Sequence, residues 1–490
     1  MLKKIAIVFL IIISLWHCRK DVDSVTSSPS AKLSFSQTLI EFDTIFTTVG
    51  STTHQFKVYN NSSEAIKISS VTLGGDNQAY FRMNVDGRSG EVIRDILLAG
   101  KDSLFVFVDV TIDPKDDNLP FLVEGNIQFI TNGNVQDVAL IAYGQQAKFI
   151  TPDHFVDGLP PYSIVGKDNQ TVTWPTDTPI VIYGYAVIDS KQHLEIIAGT
   201  QIYLHANSGI WVYENGQITV DGDIDNPVVF QGDRLDEYKD ISGSWDRIWI
   251  NEGENGKNNE FNYAVIKNAF IGIQAEYKPF VGRKDGWSQN GIIIDNTIIE
   301  NSKVAGIYAK NFQIIARNTL VSSTGGSNFV TAGGGNYTFN QCTFGNYWHG
   351  EPRSTPAVFL SHLYFDFEQN VYVQDSVNAF FNNCIIYGNQ ESEFNIEDEI
   401  DPGTRVNFEM YHTLVKTNMD TVKYGKYTEA IINPSNENVF IDPNGDDFHL
   451  APGSRALDHG DNGILDLVTQ SDLDGVGRKN PPDLGVYEFK

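Results

Sequence analysis

Three cysteines in 490 residues leave no disulfide framework to build on. No apolar stretch beyond residue 17 is long enough to cross a membrane. Positive charge is also short: 35 Lys and Arg against 62 Asp and Glu give a formal −27. A chain of that sign repels phosphate backbones, which disfavours sequence-independent nucleic-acid binding and suits a secreted protein that must stay in solution. Core-forming material is not lacking. Hydrophobic residues make up 41% and aromatics 12%, and the length predicts two or three domains.

Residues 1–17 read as an export signal. Lys3 and Lys4 supply the positive start, and Ile5 to Ile13 is an apolar run of nine residues. Removing this leader takes away two lysines and moves the formal charge from −27 to −29. Cys18 follows directly after Leu15-Trp16-His17, a placement that resembles a bacterial lipoprotein signal. That resemblance implies that Cys18 is acylated and that the protein is exported and lipid-anchored at the outer membrane or cell surface. His17 departs from the small residue usual before such a cysteine. Arg19-Lys20-Asp21 resembles the charged surface-export tags of Bacteroidota, and residues 18–32, rich in Ser, read as a flexible tether.

Six segments between residues 263 and 418 align on one another: Tyr263–Asn268, Asn296–Asn301, Asn318–Ser323, Gln341–Asn346, Asn383–Gly388 and His412–Thr417. Their second slot is always small and their fourth always large and apolar. Strand side chains alternate faces, so both slots point inward. Second-slot residues 264, 297, 319, 342, 384 and 413 are separated by 33, 22, 23, 42 and 29, as in a solenoid with loops of varying length. The step of 42 reads as two turns. Cys342 and Cys384 would then lie two rungs apart, roughly 10 Å, too far to bridge, and act as small buried hydrophobes. Asn268, Asn301 and Asn346 close their segments and are expected to form a hydrogen-bonded stack at a corner.

The fold class expected is all-β: an immunoglobulin-like β-sandwich over 33–148, a Pro-rich junction over 149–180, a right-handed parallel β-helix over 181–435 and a C-terminal cap over 436–490. Short strands with Asn/Gly/Ser turns carry the first assignment, including Gln55–Tyr59 and Phe105–Val108. The run Ile40–Gly50, with Phe56–Asn60 and Val138–Gly144, resembles immunoglobulin-like domains of Bacteroidota surface proteins. Gly209-Ile-Trp-Val212, Gln217-Ile-Thr-Val220, Val228-Val-Phe230 and Trp245-Asp-Arg-Ile-Trp-Ile250 resemble the opening turns of β-helix proteins of the pectate-lyase-like superfamily. Asn438–Pro443, Asp446–Leu450, Pro452–Gly460, Asp472–Gly475 and Pro482–Glu488 resemble the choice-of-anchor module that ends many secreted β-helix proteins. The first task expected of it is to cover the last open edge of the coil.

A lyase of that superfamily needs clustered Asp and Glu for calcium and a basic residue for proton abstraction; the central repeats contain no such run. Nor do they match the paired Asp of polygalacturonases. Gln374-Asp375-Ser376 resembles a single pectin-methylesterase motif without its companions. No cofactor is expected, although Asp472 and Asp474 could take part in a structural Ca²⁺ turn.

Trp211 and Trp249 read as core or turn packing. Trp287 and Trp348 stand in insertions and are candidates for stacking on sugar rings. His349, Arg353 and Asp366 share the insertion 347–375 and are the weak catalytic candidates. A third insertion, Glu391–Arg405, is mainly acidic. The expectation is a monomeric surface lipoprotein whose β-helix binds an extracellular polymer, a polysaccharide before others. The alternative is a divergent polysaccharide lyase or glycosidase acting from loops 276–289 and 347–375, and a third option is a structural stalk. Lipidation predicts recovery in the membrane fraction that Cys18→Ala abolishes. A Cys18→Ala protein that still sediments with membranes would refute the anchor.

Overall fold

The computed structural model describes residues 24–47, 50–112, 121–253, 256–277, 286–367, 370–397, 406–434 and 438–490. Cys18 and the leader lie outside them. The chain forms two compact units, one ending at Gln146 and the other beginning at Ala147.

The first unit is a β-sandwich. Six described strands form one sheet and five the other. Along Ser103–Val110 buried and open side chains alternate, and residues such as Phe42, Phe56, Val58, Ile127 and Phe129 fill the space between the sheets. Its longest hairpin joins Phe121–Thr131 to Asn134–Gln145 through Asn132-Gly133. Both turn residues have positive φ, 51° and 78°, the conformation a tight two-residue hairpin requires and Asn-Gly supplies.

The second unit is a parallel β-helix. Each turn contributes one strand to an 11-stranded sheet, the first face. Two further strands enter a 17-stranded sheet that bends around the coil as second and third faces. Pairing is parallel and in register: Ile202 follows Ile180, and Phe230 follows Ile202. The inward columns form one continuous apolar core from Trp174 to Val415. All six fourth-slot residues belong to it: Ile266, Ile299, Val321, Phe344, Ile386 and Val415 are at most 1% exposed.

The repeat differs from its sequence reading at one step. Thr343–Asn346 pairs directly with Ile385–Gly388, so the 42-residue interval is a single turn. Its extra length is a corner loop and a hairpin, Leu363–Asp366 with Val371–Gln374, because an insertion can match a rung in length without being one. Cys342 and Cys384 are therefore neighbours, both free and buried. Burial, and then the adjacent Cys384, push the Cys342 thiol well above its ordinary value.

The small slot also carries a donor. Thr319 Oγ1 lies 3.1 and 3.0 Å from the carbonyls of Ile294 and Arg317, and Thr413 Oγ1 lies 2.9 and 3.1 Å from those of Phe381 and Tyr411. Cys384 Sγ repeats the contact at 3.3 and 3.2 Å from Phe339 and Asn382. The column thus adds a side-chain donor to corner carbonyls, of which those of Arg317, Asn382 and Tyr411 also accept a main-chain amide. Just before it, Tyr263, Asn296, Asn318, Gln341, Asn383 and His412 all have positive φ, 45–54°. Asn301 donates to Asn268 at 2.7 Å, the expected stack. Asn346 instead accepts from Thr324 N and donates to the Gly326 carbonyl.

The C-terminal segment covers the flank of the coil. Phe440, Phe448, Leu450, Leu484 and Val486 pack on the outward residues Leu320, Ile385, Leu414 and Ile431 of the first face. The sequence reading placed this segment over the terminal edge; its apolar contacts instead run along the side and reach the last rung at Ile431. Gly345 permits the approach, since a Cβ there would stand 2.4 Å from the Phe448 ring. Arg317 bridges Asp295 of the coil and Asp466 of the cap at 2.6 and 2.9 Å. Asp472 accepts amides of Asp474, Val476 and Glu488, and so holds the turn read as a possible calcium loop.

His449 lies between Asp447 at 2.6 Å and Asp474 at 3.0 Å, stacks on Tyr487, and shares Asp474 with Lys490. Burial disfavours the charged ring, but the two carboxylates outweigh it and raise the imidazole pKa. Such a group stabilises the fold below its unfolded value of about 6.5, and the contribution is lost as pH rises through the higher folded value. The advantage of wild type over His449→Gln in urea unfolding should be full near pH ~5.5 and vanish at alkaline pH. An advantage unchanged across that range would refute the bridge.

Candidate functional site

Outward side chains of the second face form columns, because successive rungs pair residue to residue, with register shifts between Arg247 and Ile248 and between Lys310 and Phe312. One column runs Val187, Trp211, Trp249, Gln274, Tyr308, Val330 and Phe359. Ile210 and Val212, and Ile248 and Ile250, point into the core on either side of the two tryptophans. Alternation therefore drives Trp211 and Trp249 outward, so the packing expected of them as core or turn residues takes place on the outer surface, where Trp211 clusters with Tyr185 and Val187. Their rings stack at 4.7 Å and 9°, the spacing of adjacent strands. Trp211 is covered to 8% exposure by its neighbours, while Trp249 is half-buried.

The adjoining column supplies polar partners. Trp211 Nε1 donates to Asn251 Oδ1 at 2.8 Å, and Trp249 Nε1 to Glu276 Oε2 at 3.1 Å. Lys310 Nζ lies 3.9 Å from Glu276 Oε1 and 4.1 Å from the centre of the Tyr364 ring. On the other side, Asp246 accepts from Tyr185 and from Arg247, whose Nε and Nη2 reach it at 2.9 and 2.8 Å. Arg247 also donates to Gln274. Burial, with Glu276 and Tyr364 adding, pushes the Tyr308 phenol up to about 12, so it keeps its proton at neutral pH and can donate. The floor therefore combines aromatic surface, amides, a phenol and two compensated ion pairs. It can stack on a ring and exchange hydrogen bonds with hydroxyls.

Insertions border both edges of this face. Residues 233–244 and 347–357 leave from the corner between the first and second faces, where Asn268 and Asn301 donate to the carbonyls of Lys239 and Asp240. Residues 286–291 and 361–376 leave from the corner between the second and third. There Gly286 N donates to Asp375 Oδ2 at 3.0 Å, and Asn311 Nδ2 to Tyr364 Oη at 3.2 Å.

The insertion 347–375 is thus split by the strand Val358–Leu360. Trp348, half-buried against Gly325 and Gly350, and the exposed His349 stand at one corner; half-buried Asp366 stands on the hairpin at the other. The three weak catalytic candidates are not brought together. Arg353 is buried: it meets Glu393 through Nη1 and Nη2 at 2.8 and 2.6 Å and also holds the carbonyls of Thr355 and Asn346. Glu393 in turn accepts the amides of Ala357 and Gln390. This network fastens the corner loop to the next rung, a structural task in place of the catalytic one. Trp287 is half-buried beside Ser288 and Asn290, whose side chains fasten that loop to Gln313, Gly253 and Gly256. Residues 278–285 and 398–405, parts of the first and third insertions, lie outside the described residues.

Arg353→Met leaves a buried carboxylate without its cation and should destabilise the coil by about 3–5 kcal/mol. Joint replacement with Glu393→Leu should recover most of that loss in urea unfolding. Wild-type stability of the single variant would refute the staple.

No protein-family model matches the chain, and no curated protein matches it in sequence. Among solved structures, the chain is similar to the catalytic unit of a GH87 alpha-1,3-glucanase from Streptomyces thermodiastaticus strain HF3-3. The TM-score is 0.26 at 9% identity, covering 76% of this chain and 75% of that one. It is also similar to a protein of unknown function from Porphyromonas gingivalis W83, with TM-score 0.18 and 13% identity over 26% of this chain. A family 123 glycoside hydrolase from Clostridium perfringens gives TM-score 0.18 and 7% identity over 24% of this chain. The chain spans 50% of the length of the Porphyromonas protein and 30% of the Clostridium one.

Proposed function

We propose that the outer surface of the second face is a binding site for an extracellular polysaccharide, displayed by a surface lipoprotein anchored through Cys18. The observation that carries this reading is the outward pair Trp211 and Trp249, stacked at 4.7 Å with both indole N–H groups fixed by Asn251 and Glu276. Aromatic surface held in place beside directional polar groups is what a pyranose ring needs: C–H faces to pack and hydroxyls to pair. An extended run of such groups along consecutive rungs favours a polymer over a single sugar. Asp246 and Glu276 are each tied to a cation and to an aromatic donor, which supports binding before proton transfer.

Affinity electrophoresis of the full chain against a panel of polysaccharides tests the reading. Wild type should be retarded by at least one polymer, and Trp249→Ala should weaken the interaction at least about tenfold, a loss of about 1.4 kcal/mol. Trp249→Phe should retain most of it, while thermal unfolding of both variants checks the scaffold. Retardation by no polymer, or a Trp249→Ala protein that binds like wild type, would sink the proposal. Release of new reducing or unsaturated ends would move the assignment to a hydrolase or lyase.

A further inference from the structure

We infer that the polysaccharide bound on the second face is uncharged; this rests on the reading just proposed and narrows its substrate class. The ionisable groups of the floor cancel. Arg247 is neutralised by Asp246, at 2.9 and 2.8 Å, and Lys310 by Glu276, at 3.9 Å. The Lys310 and Glu276 side chains are only 17% and 14% exposed. Between the pairs lie neutral groups: Asn251, Gln274, Tyr308 and the two indoles.

An acidic sugar could reach either cation only by displacing the carboxylate already there. That would leave Asp246 or Glu276 partly desolvated without its counter-charge, the costly outcome for a sheltered ion pair. Among the described residues, the second corner presents carboxylates to an approaching chain. Glu252 and Asp375 are held at the second corner by the amides of Gln289 and Gly286, and Glu397 is engaged by Ser361. The chain as a whole carries −27, so a polyanion approaches against the field. A neutral polymer disturbs none of this. Its hydroxyls can donate to the free lone pairs of Asp246 and Glu276 and accept from Lys310 and Tyr308, leaving both ion pairs in place.

The charge class can be read from affinity electrophoresis of the full chain in gels holding neutral glucan, mannan or galactan, polygalacturonate or alginate, or cationic chitosan. The expected result is retardation by at least one neutral polymer and by neither uronate. That retardation should change less than about twofold between about 20 mM and about 0.5 M NaCl, because screening acts on charged partners. Glu276→Gln strips Lys310 of its counter-charge and should gain retardation on polygalacturonate at low salt. Binding confined to uronates or to chitosan, or a Glu276→Gln protein as indifferent to polygalacturonate as wild type, overturns the inference while the polysaccharide reading stands. Retardation by nothing in the panel overturns both.

Discussion

Hydrogen bonding between successive rungs is the constraint on which the rest of the second unit depends. Successive rungs pair residue to residue, with register shifts only at Arg247–Ile248 and Lys310–Phe312 among the described residues of the coil, so positions of a strand become columns. Columns that face inward must be apolar and matched in size. Columns at corners add side-chain donors to main-chain carbonyls where the chain turns. Thr319, Cys342, Cys384 and Thr413 meet both demands at once: small enough for the interior corner, and each bearing an O–H or S–H aimed at main-chain oxygens. Before them Asn318, Gln341, Asn383 and His412 take up the left-handed backbone that the corner requires, a conformation that asparagine tolerates better than most residues.

Much of this was legible in the residues. Alternation of small and large slots revealed the coil, and all six fourth-slot side chains are in its core. Two columns went unread. Val265, Ile298, Leu320, Ile385 and Leu414 occupy the third slot, which points outward; apolar residues there signal that something covers the first face. Trp211 and Trp249 fall out of phase with the isoleucines and valines on either side, which places them outside. Both signals needed only the period of two already in hand. Other features could not be read locally. A loop and hairpin of the length of one rung mimic a missing turn, and nothing near Arg353 in sequence announces Glu393, forty residues on, as the partner that buries it. Candidates that shared one loop, His349 and Asp366 among them, were parted because a strand three residues long runs between them.

The same register that builds the core also builds the candidate site. Outward residues from Val187 to Phe359 become one continuous strip, and insertions at two corners border it without disturbing the pairing beneath. The chemistry of that strip is set by cross-column contacts: indole to amide, indole to carboxylate, ammonium to phenol ring. None belongs to a single rung. The polar groups are therefore positioned by the scaffold and not by the mobility of long side chains, which lowers the entropy lost when a ligand orders them.

The cap on the first face has a mechanical consequence. Stacked rungs behave as a chain of nearest-neighbour units, each able to open when its own interfaces fail. By laying Phe448, Leu484 and Val486 across Leu320, Ile385, Leu414 and Ile431, the cap splints the C-terminal rungs into one cooperative block. The rungs before Ile298 have no apolar tie of this kind among the described residues. Fraying should start in that half, so slow amide exchange would be concentrated beneath the splint.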